Sequence, residues 1–259
     1  MDYAYELDGD VAFPTPYTAG PWGPMQHGGA PGSLIARTAE MTPSLVPMRI
    51  ARLTIDLMRA VPIAPLKIDC RIVREGKKLQ LLQINLLADG VAVTRASVLR
   101  LAKTDTPLPP EAVAPPIDLP PPEAGVSPQF RLGRSTVTFN EGLETRFVGG
   151  KLGEPGRASL WHRFHMPVIK GEELLPAMRA AITSDYCNGT SSFLDFNAWT
   201  FINADLQVNL ARDPIGEWIL LDAETFPGPY GGGHAFARLG DRHGWFGRAG
   251  QSVIFERRK

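Results

Sequence analysis

Nine of the chain's 24 prolines fall between residues 107 and 128, in the stretch PLPPEAVAPPIDLPPPEAGVSP. Proline fixes φ and carries no backbone donor, so this segment can neither continue a helix nor pair as an inner strand. An irregular loop of about 20 residues is uncommon inside one compact domain. The segment therefore reads as a connector, with one domain over 1–106 and a second over 129–259.

The two parts share a plan. In the first, a helix-compatible stretch from Gly32 to Met41, with Leu34, Ile35, Thr38 and Met41 on one face, precedes strand-like runs near 48–60, 65–75, 79–88 and 91–102. In the second, runs near 135–148 and 157–168 precede a helix near 172–187. Runs near 200–212, 217–226 and 234–256 follow, the last broken by the turn signal Gly240-Asp241-Arg242. Residue similarity supports a duplication. Arg52-Leu-Thr-Ile-Asp-Leu-Met-Arg59 lines up without gaps on Asp205-Leu-Gln-Val-Asn-Leu-Ala-Arg212, and Arg95–Arg100 resembles Arg248–Arg257 with an insertion. A repeat longer than about 100 residues is a duplicated domain, not a solenoid unit. One helix and a long antiparallel meander, twice over, imply an α+β fold in which each sheet wraps its helix.

Composition narrows the function. The 27 basic and 27 acidic residues cancel, so no general field favours nucleic acid or an anionic membrane. The two cysteines, Cys70 and Cys187, lack any disulfide or zinc spacing. Asp2, Glu6, Asp8 and Asp10 are the opposite of a signal-peptide start, and no apolar run spans a bilayer, so a soluble cytoplasmic protein is expected.

Differences between the halves locate candidate chemistry. On the second helix the apolar stripe Leu174, Met178, Ala181, Ile182 ends on Asp185, just before Asn188-Gly189. A carboxylate there is either a partnered group suited to general-base work or a solvated acid at a frayed end; spacing does not choose. Gln251 shares a strand face with Val253 and Phe255, where the Ser-Val anchor puts Ala96 in the first half. Its amide can both donate and accept. Asn203 corresponds to Ile50, and strict alternation puts it on the polar face with Asp205, Gln207 and Asn209. In the first half, Trp22-Gly-Pro-Met-Gln-His-Gly-Gly-Ala-Pro-Gly places His27, Gly28 and Gly29 at a helix start. Free N–H groups there suit a developing oxyanion, although Gly and Pro also simply begin helices.

Other motifs fall away. His162-x-x-His165 lies in a strand, where odd spacing sends the rings to opposite faces, so no metal site is expected. Pro227–His234 reads as a turn without the helix a phosphate loop needs, and Asn188-Gly-Thr190 is a sequon without a secretion signal. No G-x-S-x-G elbow occurs, which argues against an α/β-hydrolase; any chemistry here is expected to need no metal, no cofactor and no obvious nucleophile.

The ordered set Gln26-His-Gly-Gly-x-Pro with Ser33-Leu-Ile-Ala-Arg, then Ser184-Asp-Tyr186, Asn203-Ala-Asp-Leu206, Arg212, Gly216-Glu-Trp218 and Arg248-Ala-Gly-Gln251 resembles the double-hotdog thioesterase-like family, nearest the group of bacterial acyl-CoA thioesterase II. The resemblance covers nearly the whole chain apart from the connector. It implies two tandem hotdogs and hydrolysis of acyl-CoA by activated water without a covalent acyl-enzyme. Asp185 takes the place of the family's Asp, as general base, and Gln251 that of its Gln. The family's Thr place falls on Asn203, a departure that puts full activity in question, with Thr200 a poorer stand-in three residues earlier. His27, Gly28 and Gly29 would bind substrate, with the Gly28 and Gly29 N–H groups at the oxyanion, and a dimer of double hotdogs is the expected assembly. Two other readings compete: a non-catalytic binder of acyl-CoA or an acyl carrier, and a hotdog hydratase. The last wants a His paired with an acid near the helix, and its one candidate, His27, belongs to the other half.

Overall fold

The computed structural model describes residues 2–109, 111–112, 114–128, 137–151 and 154–258. In the first half, β1 (Tyr5–Asp8) and β2 (Val11–Pro14) precede α1 (Gly29–Met41). The long strands β3 (Met48–Leu57), β4 (Leu66–Arg74), β5 (Leu79–Ala88) and β6 (Val91–Ala102) follow. In the second, β7 (Leu143–Gly149) and β8 (Ala158–Phe164) precede α2 (Pro176–Ser184) and the single turn α3 (Cys187–Thr190). Then come β9 (Trp199–Asn203), β10 (Asp205–Leu210), β11 (Trp218–Pro227), β12 (Gly232–Asp241) and β13 (Gly244–Arg257).

These strands form one antiparallel sheet in the order β1-β2-β4-β5-β6-β3-β10-β13-β12-β11-β8-β7, with β9 on β13. Read outward from the central β3–β10 pair, each strand has a counterpart on the other side: β6 and β13, β5 and β12, β4 and β11, β2 and β8, β1 and β7. The two short N-terminal strands, absent from the sequence reading, complete the correspondence.

The gapless alignment makes Thr54 equivalent to Gln207, and these two are direct partners in the β3–β10 ladder. A duplicated strand thus pairs with its own copy about a local twofold. The register corrects one equivalence drawn from sequence. Asp56 pairs with Arg95 and Asn209 with Arg248, so Arg95-Ala96 matches Arg248-Ala249 with no insertion. Gln251 therefore corresponds to Val98, not Ala96. Both are wholly buried, so an amide stands where the first half has an alkyl side chain.

A bulge corrects the face of Asn203. In β3 the ladder skips Ala51, between Ile50 paired with Arg100 and Arg52 paired with Leu99. At the equivalent Ala204 the second half breaks between β9 and β10, with Asn203 paired to Val253. One extra residue reverses every side chain beyond it. Asn203 thus joins the inward face of Leu206 and Val208 rather than the outer face of Gln207 and Asn209.

Both helices lie inside the wrapped sheet and pack against each other. From Gly29 to Ala36 α1 is buried at every position, whereas Met41, expected on its inward face, is exposed at the end of the helix. The expected helix from 172 begins only at Pro176, because proline suits the first turn and holds Leu175 extended, at φ −71° and ψ 154°. Of the strand expected over 135–148, residues 135 and 136 lie outside the described residues. A 3₁₀ turn, Phe139–Gly142, stands before β7. The connector lies along the second half: Trp161 Nε1 donates to Pro120 O, and Val126 bridges Phe147.

The helices run antiparallel, with the start of α1 at the end of α2. Superposing their prolines, Pro31 on Pro176, brings Thr38 onto Thr183 and Glu40 onto Asp185. Each helix thus ends on an acid beside the start of the other.

Candidate active site

Asp185 is the C-cap of α2, its N–H bonded to Ala181 O and Ile182 O. Its side chain stands over the start of α1. A Cβ added to Gly28 would fall 2.6 Å from Oδ1 and 2.8 Å from Oδ2, so only glycine admits the carboxylate there. The neighbouring Gly29 is similarly close to Phe139 and His27.

Three polar side chains from three parts of the chain converge on this carboxylate, which is 7% exposed. Asn203 Nδ2 donates to Oδ1 at 3.1 Å, and Gln251 Nε2 donates to Oδ1 at 3.3 Å and to the Asp185 carbonyl at 3.1 Å. His27 Nδ1 lies 2.9 Å from Oδ2. The expected Asp185, Asn203 and Gln251 are therefore together, and the bulge at Ala204 is what turns Asn203 toward them. His27 joins them from the other half, which removes the objection that kept it from any acid. Thr200 stays away, its hydroxyl on Glu256 O at the exposed edge of β9.

Gln251 has no group left for substrate. Its Oε1 accepts from Asn188 N–H at 3.0 Å, and it is completely buried. It braces the turn after α2, helped by Asn188 Nδ2, which donates to Phe201 O. Asn203, by contrast, lines an open cavity together with His27, Gly28 and Asp185.

Residues that sequence reasoning passed over hold His27 in place. Its N–H donates to Thr18 O, and the preceding Gln26 is fixed by the Tyr5 hydroxyl and by its own Nε2 bond to Pro62 O. The imidazole sits between Phe139 (stacked, 5.3 Å) and Tyr186 (4.6 Å), and the Tyr186 hydroxyl donates to Asn140 Oδ1. Burial, then the Asp185 charge, push the Tyr186 phenol well up, so it stays neutral. His162 packs its edge on Tyr186 at 4.8 Å. Burial pushes His162 down to about 3. His162 is buried and His165 exposed, on opposite faces of the chain. No group of three or more potential ligands is assembled among the described residues.

The cavity holds about 950 Å³. Aromatic and aliphatic side chains also line it: Trp22 lies 4.9 Å from both Phe196 and Phe201, and Leu194, Ile202 and Ile254 join them. Arg59 also lines it, and the Arg258 guanidinium stacks over Trp22 and Phe196. A polar cluster at one end, an apolar chamber and two cations suit an acyl group joined to an anionic carrier.

Two helices wrapped by one duplicated antiparallel sheet, with a carboxylate cluster where the halves meet, define a double-hotdog protein. Residues 18–101 match the family model for the acyl-CoA thioesterase N-terminal domain, and residues 99–255 that for the C-terminal domain. The chain belongs to this acyl-CoA thioesterase family and is a thioester hydrolase. No curated protein matches it. Among solved structures, a thioesterase candidate from Novosphingobium aromaticivorans is 20% identical, with TM-score 0.76 over 97% of this chain and 98% of that one. Acyl-CoA thioesterase II of Mycobacterium marinum is 14% identical, with TM-score 0.68 over 98% and 95%. The dehydratase domain from the CurJ module of curacin polyketide synthase is 11% identical, with TM-score 0.53 over 89% and 83%. These likenesses are of fold.

Proposed function

We propose that the protein hydrolyses acyl-CoA to free acid and CoA with water activated at the Asp185 cluster. The observation that carries the reading is the convergence of Asp185, Asn203 and His27 on one wall of an apolar cavity. Asp185 supplies the negative charge that drives deprotonation of the water, Asn203 orients the water, and Gln251 acts through Asp185 by fixing its position. The Gly28 and Gly29 N–H groups at the start of α1 face the developing oxyanion. The acyl chain occupies the aromatic chamber, and Arg59 and Arg258 meet the carrier's phosphates. These local cations replace the general field that the zero net charge denies. No helix among the described residues is long and apolar enough to cross a membrane. The division into domains 1–106 and 129–259, a dimer of double hotdogs and a cytoplasmic location belong to the same proposal.

The His27–Asp185 contact also favours a second reading, hydration of an enoyl thioester, which needs such a pair. One assay separates the two. Thiol release is followed over saturated acyl-CoAs of increasing length, and loss of the conjugated double bond over the matching enoyl-CoAs. Thiol release that grows with chain length supports hydrolysis; loss of enoyl absorbance without thiol release supports hydration.

A further inference from the structure

Both Asp185 oxygens are engaged by protein groups at the edge of the cavity: Asn203 and Gln251 donate to Oδ1, and His27 Nδ1 faces Oδ2. The same Nδ1 also lies 3.1 Å from the Gly29 N–H. One ring nitrogen cannot accept from Gly29 and donate to Asp185 at once. A bare lone pair 2.9 Å from a carboxylate oxygen would repel it, and a charge-assisted bond outweighs a neutral one. The proton therefore sits on Nδ1 and points at Asp185. That leaves the lone pair on Nε2, in a ring that lines the cavity and is clamped between Phe139 and Tyr186.

We propose that His27 Nε2 is the group through which Asp185 acts, making His27 the catalytic proton carrier and Asp185 its positioning anion. The proposal rests on the thioester hydrolase reading. Nε2 takes one proton from water as the water oxygen bonds to the thioester carbon, giving a tetrahedral oxyanion and an imidazolium stabilised by Asp185. When the oxyanion collapses, the C–S bond breaks, and Nε2–H returns the proton to the departing sulfur. The products are carboxylic acid and thiol, with no covalent intermediate. Tyr186, which packs on the ring, and His162, which packs on Tyr186, are both held neutral by burial, so the ring and Asp185 carry the proton chemistry.

The test uses the full chain with His27→Ala and Asp185→Asn beside the parent, each checked for folding by circular dichroism. The expected loss in kcat/KM for His27→Ala is about 10²- to 10⁴-fold. Added imidazole should restore part of it. The double variant should be no slower than the slower single one. If His27→Ala stays within about threefold of the parent while Asp185→Asn loses activity, the assignment is overturned and Asp185 acts directly, with the hydrolase reading intact. Nitrogen-15 NMR of the histidines supplies a readout independent of turnover. Protonation of His27 at Nδ1, lost in Asp185→Asn, is expected; protonation at Nε2 in the parent overturns the proposal even if no acyl-CoA is hydrolysed.

Discussion

Gly28 and Asp185 stand in van der Waals conflict with any side chain larger than hydrogen at position 28. The first residue beside α1 and the last beside α2 meet where no Cβ fits, and this contact joins the two halves at the polar end of the cavity. Gly28 has ordinary helical dihedrals, φ −59° and ψ −26°, so alanine there is strained by the carboxylate alone and not by its backbone. Gly28→Ala should displace Asp185, cost about 1–3 kcal/mol of stability and lower kcat/KM by roughly 10²-fold. Thermal unfolding and steady-state kinetics on the same preparation check both.

Gln251→Leu keeps the volume but leaves the Asn188 N–H and the Asp185 carbonyl unpaired in a buried place. About 1–3 kcal/mol should be lost in urea unfolding. Because Gln251 touches no substrate, kcat should fall more than KM rises.

His162 is a buried, neutral imidazole whose Nδ1 has no hydrogen-bond partner among the described residues. Its folded value of about 3 lies below the unfolded one of about 6.5, so the unfolded chain binds the proton first. The corresponding stability is complete above about pH 6.5 and drains away toward pH 3, at roughly 1.4 kcal/mol per pH unit. His162→Phe should match or exceed the parent at pH 7.5 and lead it clearly at pH 5, measured by denaturant midpoints.

Glu40, the counterpart of Asp185, shows the opposite sign. Burial, then the Asp213 charge, raise it to about 7. Its neutral form belongs to the folded state, so stability falls as pH climbs from about 4.5 through 7. Glu40→Gln should be more stable than the parent at pH 8, by on the order of 1–3 kcal/mol, and indistinguishable from it at pH 4. Unfolding at the two pH values decides the point.

Much of this architecture is legible in the sequence because proline density and residue similarity are local signals. The connector shows as a cluster of rigid residues, and β3 and β10 align by eye. What stays hidden depends on single insertions and on packing between distant segments. The bulge at Ala204 defeats alternation, so Asn203 looks solvated until the ladder is known. The anchor Ser97-Val98 on Ser252-Val253 is two residues out of register, which only the pairing of Arg95 and Arg248 reveals. Strands β1 and β2 have four residues each, too few for a periodic signal. The approach of His27 to Asp185 joins residues from different halves, and it follows from two helices packing antiparallel, which neither helix's own sequence announces.

The central claim is that the Asp185 cluster drives thioester hydrolysis, and comparing Asp185→Asn with the parent tests it most directly. The substitution preserves shape and burial while removing the charge that His27 faces. The account predicts that thiol release from a good acyl-CoA substrate falls by about 10³-fold or more, with the melting temperature within a few degrees of the parent. Turnover within about threefold of the parent would contradict it.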